Sequence, residues 1–203
     1  AILPALIWYC ANLAFSPSIS AGLTILAGLI ITGCLHEDGL ADCADGLGAT
    51  PKRERALEIM RDSRIGTYGA CALIITIGLR WAALSSLDII SGILAIFIAY
   101  CGSRAAMTIA MQFSTYARED GLGAQAQTIS QNGFIISIII ASITAVSFGL
   151  VAGIISLLMG LALSWCFLKY LEIRIGGYTG DGLGAMQQIC EITIFIMLAG
   201  FWS

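Results

Sequence analysis

The chain has 203 residues, 58% of them hydrophobic and only 11% charged, with a mean hydropathy of +0.90. Soluble domains carry about 25% charged residues, so this composition excludes an ordinary soluble enzyme and points to a polytopic membrane protein. The formal net charge of −3 says less than its distribution: twelve of the 23 acidic and basic residues lie between Glu37 and Arg64, and none lies between Gly121 and Leu168.

A membrane-spanning helix needs about 17–25 predominantly apolar residues. In chain order, a short apolar segment over Ile2–Phe15 precedes a full candidate span at Ile19–Leu35, and a polar stretch follows at 36–65. Gly66–Leu84 and Ile89–Phe113 are the next spans, joined by a minimal connection at Ser85–Asp88. After a polar stretch at 114–132 come Gly133–Leu150 and Val151–Leu168, with Gly149 and Gly153 bracketing the turn between them. A last polar stretch, 169–187, leads to a shorter apolar segment at Ile189–Trp202. The pattern predicts an all-α polytopic membrane bundle of six to seven transmembrane helices, forming one membrane-embedded domain over 1–203. Crossing parity puts all three polar stretches on one side, and Lys52, Arg53, Arg55, Arg61, Arg64, Arg118, Lys169 and Arg174 mark that side as cytoplasmic. The chain begins with Ala and lacks a basic leader, so no signal peptide is expected. The seven Cys fall mostly in apolar runs without a C-x-x-C and read as small buried side chains, not a disulfide or zinc framework.

No Asp, Glu, Lys, Arg or His occurs before residue 36; then His36-Glu-Asp-Gly-Leu-Ala-Asp-Cys-Ala-Asp-Gly46 brings one His, one Glu and three Asp within ten residues. Charge at a membrane boundary is costly without a partner or a function. On a helix, Asp38, Asp42 and Asp45 stand at i, i+4 and i+7 and share one face, a pattern that repels itself unless a cation intervenes. A hard divalent ion, Mg²⁺, fits all-oxygen ligation. The pentapeptide Asp-Gly-Leu-Gly-Ala occurs at Asp45–Ala49, Asp120–Ala124 and Asp181–Ala185. Glycine beside carboxylate reads either as room for a phosphate or metal, or as ordinary turn chemistry at helix ends. Asp181 is thereby a candidate fourth carboxylate from another loop.

The segment Lys52–Tyr68 has the spacing of a short surface helix followed by Arg61-Asp62-Ser63-Arg64, where two guanidinium groups are placed to grip phosphate. Arg104 lies inside an apolar segment and calls for a cavity or a carboxylate partner, whereas Arg80 sits nearer the far interface and reads as a snorkelling side chain. Carboxylate-held metal with cationic clamps is the kit of phosphoryl chemistry, and no G-x-x-x-x-G-K-[ST] is present. His36 is open as general base, extra ligand or helix-end cap.

The signatures HEDGLADCADG (36–46), RDSRIGTYG (61–69), SR (103–104) with YAREDGLG (116–123), and GGYTGDGLGA with a later Glu191 (176–191) resemble cobalamin synthase, the adenosylcobinamide-GDP ribazoletransferase family. The resemblance covers most of the chain from residue 30 onward. It implies Mg²⁺-dependent transfer in which α-ribazole or its 5′-phosphate attacks adenosylcobinamide-GDP, giving adenosylcobalamin or its 5′-phosphate and GMP. It also implies a bacterial or archaeal cytoplasmic membrane, an active site facing the cytoplasm, and a further N-terminal segment ahead of Ala1. In these terms Mg²⁺ is assigned to Asp38, Asp42, Asp45 and Asp181, phosphate binding to Arg61, Arg64, Arg104 and Arg118, and the proton-accepting role to His36 or Asp62. Glu37 stands where the family commonly has an apolar residue and receives no ligand role. The expected partners are these small molecules and the lipid bilayer, not nucleic acid, with homo-oligomerisation left open. Two alternatives remain. A CDP-alcohol-type phospholipid phosphotransferase would carry D-G-x-x-A-R, but Asp38-Gly-Leu-Ala is followed by Asp42. An ion-coupled transporter would place its ionisable residues near mid-membrane, not at one face.

Overall fold

The computed structural model describes residues 1–118 and 129–203, which form eight helices: α1 (Ile2–Asn12), α2 (Pro17–Thr32), α3 (Leu35–Ala49), α4 (Arg53–Ile59), α5 (Thr67–Ser85), α6 (Ile89–Phe113), α7 (Gln131–Ile175) and α8 (Gly180–Trp202). The second Asp-Gly-Leu-Gly-Ala copy, Asp120–Ala124, lies outside the described residues. Local chemistry sets several boundaries. Pro17 opens α2, where its missing N–H costs nothing. Asp88, Ser130 and Thr179 cap α6, α7 and α8 through their side-chain oxygens. Gly33 (φ 61°) and Cys34 (φ 59°) are both left-handed and turn the chain by 87° from α2 into α3.

A straight helix of 45 residues would run about 67 Å, more than twice the thickness of a bilayer core. α7 instead folds back at Leu150 (φ 44°, ψ −128°). Phe113 meets both Phe134 and Trp165, at centroid distances of 5.6 and 6.3 Å, although a straight helix would hold those two about 46 Å apart. The arms are therefore antiparallel, and the break falls between the two spans read from the sequence. Gly153 permits the reversal, since a Cβ there would run into the Ala145 carbonyl.

α5, α6, α7 and α8 are long and apolar enough to cross a membrane, and the bent pair α2–α3 adds a fifth if it is one broken span. The outward surface is apolar, with Ile74, Ile143, Leu158 and Ile173 all more than half exposed. Among the buried residues are small ones, Ala95, Ala99 and Ala106 of α6 and Ala141 and Ala145 of α7, which let backbones come close enough for dispersion contacts to hold helices together in lipid. Although α1 is short, it is anchored: Trp8 is fully buried over Gly92, and its indole N–H donates to the Ile89 carbonyl at 2.9 Å. The C-terminal apolar segment is longer than its sequence limits of Ile189–Trp202, because α8 begins at Gly180. Only the turn at 176–179, with Gly176 (φ 86°) and Gly177 (φ 156°) in the left-handed region, separates it from α7.

Candidate active site

The described parts of the three polar stretches meet at one end of the bundle. The strand-like pairing of Tyr116 with Tyr178 joins two of them: Tyr178 N–H donates to the Thr115 carbonyl (2.9 Å) and Ala117 N–H to the Tyr178 carbonyl (2.8 Å). Arg53 ties in the third, its Nε donating to the Ile175 carbonyl (2.8 Å) and its Nη2 to that of Ala117 (2.9 Å). Arg174 returns the link to the Leu47 carbonyl at 3.0 Å. Both described glycine-rich copies lie in helices, so neither is a turn. A Cβ on Gly39 would stand 2.7 Å from the Asp181 carbonyl oxygen, and one on Gly184 would stand 3.1 Å from that of His36, so these glycines bring α3 and α8 into backbone contact. Gly46 does the same for α3 against Ala56 of α4.

The four carboxylates assigned to a metal divide into three environments. Asp45 is buried, and both of its oxygens are engaged: Oδ2 accepts from Gly66 N–H (2.7 Å) and Oδ1 from Gly69 N–H (2.9 Å). It thus caps the start of α5 from a neighbouring helix, satisfying amides left orphaned at a helix N-terminus. A Cβ at either glycine would run into its carboxylate, which explains the spacing of Gly66 and Gly69. Asp181, in the first turn of α8, accepts from Arg118 Nη2 at 2.7 Å. Asp38 and Asp42 line a cleft of about 240 Å³ with Ser63 and Ile65, backed by Leu73 and Ile77 of α5. Asp42 lies in the field of like charges on Asp38, Asp181 and Asp45, opposed by Arg118. Among the described residues, no three His, Cys, Asp or Glu side chains converge closely enough to hold a metal by themselves.

The four arginines assigned to phosphate do not form one clamp. Arg61 and Arg118 line a second cavity of about 400 Å³ together with Arg53, Glu54 and Glu58. Arg64 is 87% exposed in its side chain and turns onto Asp62, with Nη2 to Oδ2 at 2.6 Å. That pairing holds the Asp62 carboxyl down at about 2, chiefly through the side-chain hydrogen bond from Arg64 and then its backbone N–H. A carboxylate so stabilised is a weak proton acceptor. Arg104 stacks on the Tyr100 ring and donates to Glu191 Oε2 at 3.1 Å. His36 lies at the inner end of α3, lining a small polar cavity with Glu37, Arg80 and Glu191.

Arg80 does not snorkel. It is 5% exposed and bridges two buried carboxylates, donating from Nη2 to Glu37 Oε1 (3.0 Å) and from Nη1 to Glu191 Oε1 (3.1 Å). Gln188 Nε2 also donates to Glu37 Oε1 (2.9 Å), and Gln187 to Glu191. With Arg104, two cations and two anions from four helices balance. Only the isolation of Arg80, Arg104 and Glu191 within apolar sequence hinted at this cluster; Glu37 lies in the acidic run, and which charge meets which was not readable from spacing.

Comparison of the whole chain with known proteins identifies its relatives. The family model described as cobalamin-5-phosphate synthase matches residues 1–199. The chain is 43% identical over 195 residues to the adenosylcobinamide-GDP ribazoletransferase of Bradyrhizobium diazoefficiens, covering 94% of this chain and 74% of the relative. Proteins of the same name from Mesorhizobium japonicum (40% identical, 92% and 71% covered) and Leptothrix cholodnii (37%, 98% and 80%) are similar throughout. No solved structure matches.

Proposed function

The chain belongs to the cobalamin-5-phosphate synthase family, and from that premise we propose that it transfers the cobinamide-bearing phosphoryl group of adenosylcobinamide-GDP to α-ribazole or its 5′-phosphate, at the cytoplasmic face of the inner membrane. The ribazole hydroxyl oxygen bonds to the phosphorus that carries cobinamide. The bond from that phosphorus to the bridging oxygen breaks, and its electron pair departs with GMP. The hydroxyl proton goes to a base. The observation that carries this reading is the Arg118–Asp181 pair: Arg118 lines the arginine-rich cavity, and both members of the pair act electrostatically on Asp42 of the other cleft. This supports a reading in which an anionic pyrophosphate and a carboxylate-bound cation are held near one another.

Arg61 and Arg118 are suited to the nucleotide phosphates, where planar guanidinium groups recognise oxygen pairs. Mg²⁺ characteristically takes one or two protein carboxylates and fills its remaining positions with substrate phosphate and water. Asp38 and Asp42 suit that arrangement. Bound there, the ion would neutralise charge on the departing phosphate. Asp45 supports the site from the α5 side. We assign the proton to His36 in preference to Asp62, whose carboxylate is already stabilised by Arg64. Purified protein given adenosylcobinamide-GDP and α-ribazole should release GMP only with Mg²⁺ present; absence of GMP, or equal release in chelator, would overturn the assignment.

A further inference from the structure

We propose that Arg80 is a positioning residue for the reaction. Its guanidinium fork fixes the acidic helix α3 against α8, so that Asp38 and Asp42 stand in register with Asp181 and Arg118. This rests on the functional reading above, and three observations point to it.

The first is location. Glu37, held by Arg80 and Gln188, immediately precedes Asp38 in the chain, while Glu191, held by the other arm of the fork, is on the helix whose first turn carries Asp181. The second is the nature of the α3–α8 contact. Gly39 and Gly184 press backbone on backbone, and at that crossing neither carries a side chain that could fix the register of the two helices. A directional two-armed contact, reaching Glu191 about two helical turns along α8 from Gly184, adds that constraint. The third is incomplete satisfaction. Glu37 Oε2, Arg80 Nε and Gln188 Oε1 are buried without a hydrogen-bond partner in the structure. A cluster kept only for stability would be replaceable by well-packed apolar side chains, often without loss. Retaining under-satisfied charges within a membrane bundle fits a geometric role better than a cohesive one.

Arg80→Lys keeps the charge but removes the fork, and a lysine ammonium reaches one carboxylate at a time. In detergent-purified protein with unchanged helical circular dichroism and gel-filtration profile, this variant should bind Mn²⁺ about 10-fold more weakly by electron paramagnetic resonance titration without substrates. It should also lower kcat about 10-fold or more while moving KM for adenosylcobinamide-GDP less than about 3-fold, because neither Arg80 nor its partners Glu37 and Glu191 line the arginine-rich cavity. Wild-type Mn²⁺ affinity and kcat in Arg80→Lys would overturn the proposal, as would a uniform fall in kcat and rise in KM that merely tracks lost folded protein. If Arg80→Lys does not fold, Gln188→Met decides. It removes one of the two donors to Glu37 Oε1 and should shift Mn²⁺ affinity and kcat in the same direction, by about 3-fold; no shift overturns the role. Should wild-type protein neither bind Mn²⁺ nor release GMP, the functional reading itself fails and the positioning role falls with it. A wild-type enzyme that does both while the variants match it refutes the positioning role alone.

Discussion

Asp42 and Asp45 are three residues apart on one helix, yet their surroundings give them different work. Asp45 accepts two backbone N–H groups and stitches α3 to the start of α5, whereas Asp42 faces a cleft shared with Asp38. Replacing Asp38 or Asp42 by Asn should lower turnover at limiting Mg²⁺ by about 100-fold with little change in melting temperature, since each loses a charged ligand worth about 1.5–3 kcal/mol. Asp45→Asn presents an amide to two N–H donors. It should cost about 1–3 kcal/mol of stability, visible as a lower melting temperature in detergent, while turnover per folded molecule remains within about 10-fold. Identical behaviour of the three variants would refute this division. The Asp62–Arg64 pair gives a pH prediction. The folded carboxyl sits at about 2, below its ordinary value near 3.8, so whatever the pair contributes is fully present above pH 4 and is lost only as pH falls through 2. Asp62 therefore does not titrate in the working range, and Asp62→Asn should leave the acid limb of the pH–kcat profile where it is. A limb that disappears in Asp62→Asn would return the base role to that residue.

At the level of elements, much was legible from apolar run length and from glycine. The span limits at Gly66–Leu84 and Ile89–Phe113 lie within a residue of α5 and α6, and the glycines around 150 mark the reversal within α7. The shared face of Asp38, Asp42 and Asp45 was conditional on a helix there, and α3 supplies that helix. What escaped was long-range pairing. Arg80 lies 43 residues from Glu37 and 111 from Glu191, and a sequence read for local period does not indicate which buried charges meet. The packing role of the glycine-rich repeats was hidden for a related reason. Their glycines serve helix–helix approach, which requires knowing which helix lies opposite. Leu150 offers a test of the reversal. Its φ of 44° with ψ of −128° is a turn conformation that glycine adopts freely and leucine does not. Leu150→Gly should stabilise the protein by about 0.5–1 kcal/mol in equilibrium unfolding, whereas destabilisation of that size would argue against a turn at this position.

For the whole molecule, the arrangement requires that the connection between α5 and α6 and the three polar stretches occupy opposite sides of the bilayer. In a background without native cysteines, Lys52→Cys, Thr115→Cys and Gly180→Cys should react with an impermeant maleimide only from the cytoplasmic side, and Ser86→Cys only from the other. Reaction of any of the first three from outside alone would separate the polar stretches and dismantle the shared site. The central claim is that a phosphoryl group stays with the corrinoid while the nucleotide leaves. It is tested most directly by supplying adenosylcobinamide-GDP with radioactive phosphorus at the cobinamide-linked position, together with α-ribazole and Mg²⁺. The account predicts that all of the label appears in the corrinoid product and that unlabelled GMP is released in equal amount. Label released with the nucleotide, as GDP, would contradict it.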